Sequence, residues 1–324
     1  MRYQPLAGLP LTPSRICLGG GGLGTSIPQA QAFALLDAYA ACGGNWVDTA
    51  HVYASWLPDG AGASERTIGA WLRAQGAHFP FMVGTKGAHP RLETMHISRL
   101  SPVEIAQDLH ESLERLQRDH VDLYWLHRDD PAVPVGEILG ALNEAIAAGL
   151  IRAIGASNWT TARLQEAADY ACAHGLRGFV ASQIGWSLAE AHQEAAGFSG
   201  MLYMDTPTLG WHRAGKFPAV AYSSQAGGFF GGKYSRASAQ DPRMASSGVG
   251  KLYFSNANFA RLERAQALAA QRGCSANQIA LAYLLNQPFP AFAIAGCRTP
   301  EQARASCAAA DLTLTPEEIA ALEA

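Results

Sequence analysis

The sequence predicts one α/β domain over residues 1–324, built as a (β/α)8 barrel of the TIM type. Eight short apolar runs indicate buried parallel strands, because strands covered on both faces show near-continuous apolar sequence. Segments with helical periodicity alternate with these runs, which is typical of a parallel sheet. A chain of 324 residues without a Pro/Gly-rich linker is long enough for one large barrel. An open, doubly wound sheet is the structural alternative.

The first predicted element is a short hairpin in YQPLAGLPLTPS, where turn residues separate small apolar clusters. The strands follow it at intervals that leave room for a helix after each one. The eight runs are RICLGG (15–20), NWVDTA (45–50), FMVGT (81–85), DLYWLH (122–127), IRAIGAS (151–157), FVASQIG (179–185), AVAYSS (219–224) and FAIAG (292–296).

Capping residues mark the helix boundaries. Ser101 and Glu104 form a capping-box pattern before an amphipathic stretch, with Pro102 at the first helical position. Gly175 follows another helical stretch and is a suitable C-terminal cap. The capping box recurs before the last two apolar helical stretches, at Ser275 with Gln278 and at Thr315 with Glu318.

Two connections are longer than the two to six residues usual in such units. They cover residues 54–64 and residues 225–256, and both are predicted as loops at the mouth of the barrel. The segment 188–216, after the sixth strand, is predicted to hold a helix with additional loop.

Composition restricts the class of protein. Hydrophobic residues make up 48% and charged residues 16%, as in a globular enzyme, and a net charge of −3 gives no reason to expect binding to nucleic acid. No signal peptide is visible at the N-terminus, and no apolar run approaches the roughly 18 residues of a membrane-spanning helix. Six scattered cysteines without a CxxC pair indicate free thiols in a reducing compartment. A cytoplasmic protein is therefore expected.

Four polar residues lie at or just beyond the ends of three predicted strands. They are Asp48, Tyr53, Lys86 and His127. A parallel barrel gathers its chemistry at the carboxyl ends of different strands, so these side chains are predicted to converge. Tyrosine can protonate a carbonyl oxygen, a lysine cation stabilises the phenolate, an aspartate holds the lysine, and a histidine can donate to the same oxygen. The set predicts a proton relay for carbonyl reduction.

These segments resemble the aldo-keto reductase superfamily. The resemblance is carried by the DTAxxY segment at 48–53, the strand-end Thr85-Lys86 and the strand-end Leu126-His127. The spacing also agrees, with 33 residues from Tyr53 to Lys86 and 41 from Lys86 to His127. Further similar stretches cover most of the chain: SERTIGAWLR (64–73), IRAIGASNW (151–159), SQ (182–183), YSSQAGGFFGGK (222–233) and GCRTPEQ (296–302).

The resemblance implies a TIM barrel that binds a nicotinamide cofactor, usually NADP(H), across its mouth without a Rossmann fold. It implies Tyr53 as the general acid, Asp48 and Lys86 as the residues that tune it, and His127 as the residue that orients the carbonyl. The resemblance also implies the cofactor-binding residues. Ser157, Asn158 and Gln183 would hold the nicotinamide carboxamide, and Tyr222 would stack on its ring. Ser223, Gln225 and Gly227 would lie near the pyrophosphate, and Arg298 and Gln302 would contact the adenosine 2′-phosphate.

The chain also departs from the family pattern. Ala305-Ser306 stands where many members have a Glu-Asn pair for adenine, which leaves NAD(H) open as a cofactor, although the guanidinium of Arg298 favours a phosphate. The glycine run 19–22 replaces a larger residue at the end of the first strand. Gly20 and Gly21 are therefore interpreted as room for a close approach of backbone and cofactor, and Ser306 as part of the cofactor site.

The expected reaction is hydride transfer between NADP(H) and a small carbonyl or polyol substrate. Trp56, Arg128 and Trp186 are the candidate substrate-binding residues, and the acidic residues near Arg128 favour a hydroxylated substrate. The alternatives are a cofactor-sensing regulatory subunit on the same barrel and a metal-dependent hydrolase. No HExxH occurs in the chain, so no metal site is expected, and four histidines (His51, His89, His96 and His212) are predicted at the surface or mouth. The oligomeric state is left open.

Overall fold

A computed structural model describes residues 1–76, 78–192 and 200–324. Its strands are β1 Ile16–Gly19, β2 Trp46–Asp48, β3 Met82–Gly87, β4 Val121–Leu126, β5 Ile151–Ser157, β6 Ser182–Gly185, β7 Ala219–Tyr222 and β8 Ala291–Ala295. Each strand pairs in parallel with the next, and β8 pairs with β1, so the eight strands close into a barrel. The predicted (β/α)8 barrel is confirmed, and the open sheet is wrong.

Helices follow the strands along the described chain. They are α1 Gln29–Ala41, α2 Ala63–Gln75, α3 Pro102–Leu116, α4 Val135–Ala147, α5 Thr161–His174, α6 Thr206–Gly215, α7 Pro242–Ala245, α8 Gly248–Tyr253, α9 Asn256–Arg272, α10 Ala276–Leu285, α11 Pro300–Ala308 and α12 Pro316–Glu323. Ser101 accepts a hydrogen bond from the Glu104 N–H, and Gly175 ends α5 in the left-handed conformation. Both remaining capping boxes form as predicted.

The alternation of side chains along each strand decides which residues face the barrel axis. The interior cluster takes Trp46 from β2, Met82 from β3, and Leu123 and Trp125 from β4, while their neighbours in sequence pack outward against the helices. Successive side chains of a strand point to opposite faces. Asp48 lies two residues after Trp46, Lys86 four after Met82 and His127 two after Trp125, so the inward direction falls on the strand ends that carry these polar residues.

The N-terminal segment pairs at one antiparallel bridge, Tyr3 with Ser14, as the predicted short hairpin requires. Leu6, on this segment, is buried in the same cluster that fills the barrel interior. A Cβ on Gly8 would lie 3.4 Å from the Ala153 Cβ, near the start of β5. The segment thus covers the amino-terminal end of the barrel and leaves the opposite end for chemistry.

Two expectations need correction. The stretch 225–256 is predicted as loop, yet it contains 3-10 turns at Ala226–Gly228 and Arg236–Gln240 besides α7 and α8. Its short Gly- and Ser-rich helices lack the long apolar period that reveals a helix in sequence. His212 is predicted at the surface or mouth but is fully buried; its ring stacks on Phe289 with centroids 5.5 Å apart. The predicted helix within 188–216 is α6, and residues 193–199 of that segment lie outside the described residues.

The described helices include none that combines the length and the apolar character needed to cross a membrane.

Candidate active site

A buried ion pair lies between the carboxyl ends of β2 and β3. The Lys86 Nζ donates to the Asp48 Oδ2 and, at 2.8 Å, to the Thr49 carbonyl oxygen. The other carboxylate oxygen, Oδ1, accepts from the Gln183 Nε2 at 2.9 Å. Lys86 and Asp48 are each 1% exposed, so water does not screen the pair. The carboxylate is held from two strands and in turn holds the ammonium.

Tyr53 lies directly above this pair. Its hydroxyl accepts the third hydrogen bond of the Lys86 Nζ, at 3.1 Å. The ammonium also lies 4.8 Å from the centre of the phenol ring. Tyr53 belongs to the turns that follow β2, and its N–H bonds the Ala50 carbonyl oxygen at 3.1 Å. The phenol is half-buried, and its oxygen contacts the buried cation.

Each charge of the ion pair changes the pKa of the other group. Burial alone lowers the pKa of Lys86, but attraction to Asp48 and Tyr53 outweighs it, so the pKa is raised above its ordinary value. Burial raises the pKa of Asp48, and the Lys86 charge opposes that rise. Lys86 therefore stays cationic beside the phenol over the whole physiological range.

His127 follows β4 and completes the predicted group of four. Its ring lies edge-on to the Tyr53 ring, with centroids 6.0 Å apart. Burial, and then the charge of Lys86, lowers the pKa of His127 well below its ordinary value. Its Nδ1 is buried without a hydrogen-bond partner among the described residues. The imidazole is thus neutral and retains bonding capacity in the site.

His89 is a neighbour that the sequence did not single out for the site. It is 9% exposed, and its ring lies edge-on to that of His127 with centroids 4.8 Å apart. Its Nδ1 bonds the Pro90 carbonyl oxygen at 2.6 Å, and burial lowers its pKa. His89 comes two residues after β3; the sequence predicted it at the surface or mouth but assigned it no role beside His127.

Asn158, directly after β5, and Tyr222, at the end of β7, are hydrogen-bonded to each other at the opening. The Tyr222 hydroxyl donates to the Asn158 Oδ1 at 2.8 Å, and that oxygen also accepts from the Leu202 N–H at 2.9 Å. The Asn158 Nδ2 donates to the His127 carbonyl oxygen and to the Ser157 Oγ, each at 3.2 Å. This network fixes the Tyr222 ring at the mouth and links it to the strand that carries His127.

The glycine run leaves space beside the phenol. A Cβ on Gly21 would meet only the Tyr53 ring, at 3.8 Å, which is an ordinary contact. A Cβ on Gly20 would lie 3.0 Å from the Asp48 carbonyl oxygen and 3.1 Å from the Ser64 Oγ, which is crowded. Gly20 is therefore required by packing, whereas Gly21 has room for a Cβ beside the Tyr53 ring.

The loop after β7 and the start of α11 lie side by side. The Gln225 Oε1 accepts from the Gly296 N–H at 2.9 Å, and its Nε2 reaches the buried Ser306 Oγ at 3.5 Å. Ser223 and Gly227 have positive φ values of 52° and 62°. Such turns present backbone N–H groups toward one side and suit an anion.

Arg298 and Gln302 meet at the N-terminal end of α11. The Gln302 Oε1 accepts the Arg298 N–H at 2.8 Å, so the glutamine side chain fixes the backbone before the helix. The guanidinium of Arg298 is exposed, and among residues 1–76, 78–192 and 200–324 it has no hydrogen-bond or ion-pair partner. A free cation at a helix N-terminus favours a phosphate.

The two candidate tryptophans lie apart from the four catalytic candidates. Trp56 is 59% exposed on the loop after Tyr53. Trp186 is buried, stacks on Phe289 with centroids 5.8 Å apart, and borders an open cavity of about 400 Å3. That cavity is also lined by Tyr203 and Tyr253, but by none of the four catalytic candidates. Roles for both tryptophans in substrate binding remain predictions.

Comparison with known proteins agrees with this geometry. Residues 15–324 match the model of the Aldo/keto reductase family. The chain belongs to that family.

Several curated relatives of the chain are named as oxidoreductases. It is 30% identical to an uncharacterized oxidoreductase, YrpG, of Bacillus subtilis (strain 168) over 98% of its own length and 93% of the relative's. It is 28% identical to norsolorinic acid reductase stcV of Emericella nidulans, over 99% of its length and 79% of the relative's. It is 27% identical to an aryl-alcohol dehydrogenase [NADP(+)] of Phanerodontia chrysosporium, over 92% and 76%. These findings support an oxidoreductase of this family, which generally uses nicotinamide cofactors and small carbonyl substrates.

Proposed function

We propose that this aldo/keto reductase interconverts carbonyl compounds and alcohols with NADP(H), and that Tyr53 is its general acid. The observation that carries the proposal is the contact of the Tyr53 hydroxyl with a buried ammonium, 3.1 Å away, whose counter-ion is Asp48. A phenol so placed can give up its proton, because the adjacent cation stabilises the phenolate that remains.

The site has the features that a nicotinamide cofactor needs. Gly21 leaves room beside the phenol, and Tyr222 is held at the mouth by its hydrogen bond. Gln183 uses its Nε2 for Asp48 and keeps its carbonyl oxygen for a carboxamide. When bound, the nicotinamide supplies or accepts the hydride.

The chain's own residues handle the proton and the orientation. His127, being neutral, donates a hydrogen bond to the substrate oxygen without placing a charge there, and Tyr53 delivers the proton to the same oxygen. Asp48 keeps the ammonium in place throughout. In the direction of alcohol oxidation, the Tyr53 phenolate accepts the proton.

NADP(H) is preferred to NAD(H) in this proposal. The guanidinium of Arg298 is exposed and pairs with none of the described residues, so it favours the additional phosphate, and the Phanerodontia relative is named for NADP(+). Ser306, buried against Gln225, offers less to an adenine than a longer side chain would. The preference therefore rests on charge.

The test is the oxidation of NADPH over a panel of aliphatic, aromatic and hydroxylated aldehydes and ketones, with Tyr53→Phe as the variant. We expect kcat to fall by about 100- to 10,000-fold, the usual contribution of general acid catalysis, while the Kd for NADPH stays within a few-fold of the original. Near-normal turnover by the variant would refute the acid assignment. Tight NADPH binding without turnover of any compound by the unchanged chain would instead fit a regulatory subunit.

A further inference from the structure

Arg128 holds a positive charge at the mouth that the four catalytic candidates do not explain. It directly follows His127, and its backbone is fixed because its carbonyl oxygen accepts from the Trp159 Nε1 at 3.3 Å. Within residues 1–76, 78–192 and 200–324, its Nη1 reaches only the His127 carbonyl oxygen, at a long 3.4 Å. Its Nε is buried without any hydrogen-bond partner among the described residues.

The carboxylates that follow Arg128 in sequence are engaged elsewhere. The Asp129 Oδ1 accepts from the Nε of Arg163 at 3.3 Å, and the Asp130 Oδ1 accepts from the Ala132 N–H at 3.0 Å. Arg163, by contrast, has two carboxylate partners, since it also bonds Glu166 at 2.9 Å. In the described part of the chain, no carboxylate pairs with Arg128. A half-buried guanidinium without a counter-ion is costly and indicates a partner that arrives with a ligand.

The charges around Arg128 leave this cation uncompensated. Lys86 is neutralised by Asp48, and burial keeps both His127 and His89 uncharged by lowering their pKa values. Burial also lowers the pKa of Arg128, although three tyrosines that face it, Tyr222, Tyr53 and Tyr203, oppose that effect. A guanidinium remains charged at any physiological pH. Arg128 is therefore a cation at the opening that no carboxylate of the described residues contacts.

We propose that Arg128 binds a carboxylate of the substrate, so that the preferred substrates are aldehydes or ketones that bear a carboxylate. The inference rests on the proposed function, because it names the substrate class of that same site. A carboxylate fits the guanidinium in particular, since the planar fork of donors matches its two oxygens. The cofactor phosphates are better served by the loop after β7 and by Arg298, which lie at other strand ends.

The first test compares two substrates of the same shape, 4-carboxybenzaldehyde and its methyl ester, in the presence of NADPH. A charge-assisted hydrogen bond contributes about 1.5 to 3 kcal/mol, so kcat/KM for the acid should exceed that for the ester by roughly 10- to 100-fold. In Arg128→Gln this ratio should fall close to one, mainly through KM for the acid, and Arg128→Lys should recover part of it. Arg152→Gln, at the amino-terminal end of β5, removes the same charge from the opposite end of the barrel and is the matched control.

A ratio near one in the unchanged chain, or a ratio that survives Arg128→Gln, would overturn the inference and leave the proposed reductase activity intact.

The second test measures binding without turnover. Benzoate and benzamide are titrated into the NADP+-loaded chain by calorimetry, and NADPH is titrated into the free chain. We expect Arg128→Gln to raise the Kd for benzoate at least tenfold and to change the Kd values for benzamide and NADPH by less than threefold. Weaker binding of NADPH with unchanged binding of benzoate would assign the guanidinium of Arg128 to the cofactor and overturn the proposal. Arg128-dependent benzoate binding by a chain that reduces no carbonyl compound would support the carboxylate site and refute the proposed function.

Discussion

Variants of the buried ion pair Lys86–Asp48 distinguish its contribution to stability from its contribution to catalysis. Lys86→Met leaves the Asp48 carboxylate buried with the Gln183 amide as its remaining side-chain donor of this network. Two unit charges 4 Å apart attract by about 4 kcal/mol at an effective dielectric constant near 20, and breaking a buried pair costs about 3 to 5 kcal/mol. We therefore expect Lys86→Met to lower the free energy of unfolding by about 4 kcal/mol, and Asp48→Asn to do so by a similar amount.

The double variant Asp48→Asn/Lys86→Met removes both charges and leaves neither unpaired. Its free energy of unfolding should lie within about 2 kcal/mol of the original, whereas independent effects would sum to about 8 kcal/mol. Turnover should stay lost in all three variants, because the cation beside Tyr53 is absent or misplaced.

Urea titrations followed by tryptophan fluorescence measure the stabilities. Arg236→Met, which breaks the exposed pair with Glu263, is the control and should cost far less, because water screens that pair. Additive losses in the double variant, or single variants as stable as the original chain, would refute the reasoning.

Three further predictions concern space, cofactor choice and pH. Gly21→Ala should fold with unchanged stability and bind NADPH at least tenfold more weakly, because its Cβ fills the space by the phenol. Gly20→Ala should lower the free energy of unfolding in a urea titration by about 1 kcal/mol or more, because its Cβ is crowded. Equal NADPH affinity in Gly21→Ala and the original chain would contradict the placement of the cofactor beside Gly21. Arg298→Gln should raise KM for NADPH about tenfold and leave KM for NADH unchanged, and a parallel change in both would remove the phosphate role. Burial lowers the pKa of His212, so its stabilising contribution is present above the unfolded-state pKa of about 6.5 and is lost as the pH falls below it. The slope of unfolding free energy between pH 6.5 and 5.5 should therefore be flatter by up to about 1.4 kcal/mol per pH unit in His212→Gln, and parallel curves would show that the histidine is not buried neutral.

The fold was predictable because the strands are short, apolar and separated by helical segments, several of which begin at a capping residue. The alternation of side chains along each strand explains why the four catalytic candidates converge. Asp48 lies two residues after the interior Trp46, and His127 lies two residues after the interior Trp125. Inward direction and strand-end position are both local properties, so sequence alone can give them.

Other features depend on contacts between distant segments. Nothing local to Gln183 shows that its amide bonds Asp48, 135 positions earlier, or that Tyr222 bonds Asn158. The ring of His212 stacks on Phe289, which lies far along the chain and follows a different helix. The short helices within 225–256 are set by tertiary packing rather than by an apolar period.

The most direct test of the central claim uses NADPH that carries deuterium at its transferable C4 position. With an accepted aldehyde, mass spectrometry should find one deuterium on the carbinol carbon of the alcohol. Tyr53→Phe should form that product at least 100-fold more slowly at unchanged NADPH affinity. Product without deuterium, or equal rates in the two proteins, would contradict hydride transfer assisted by the Tyr53 proton.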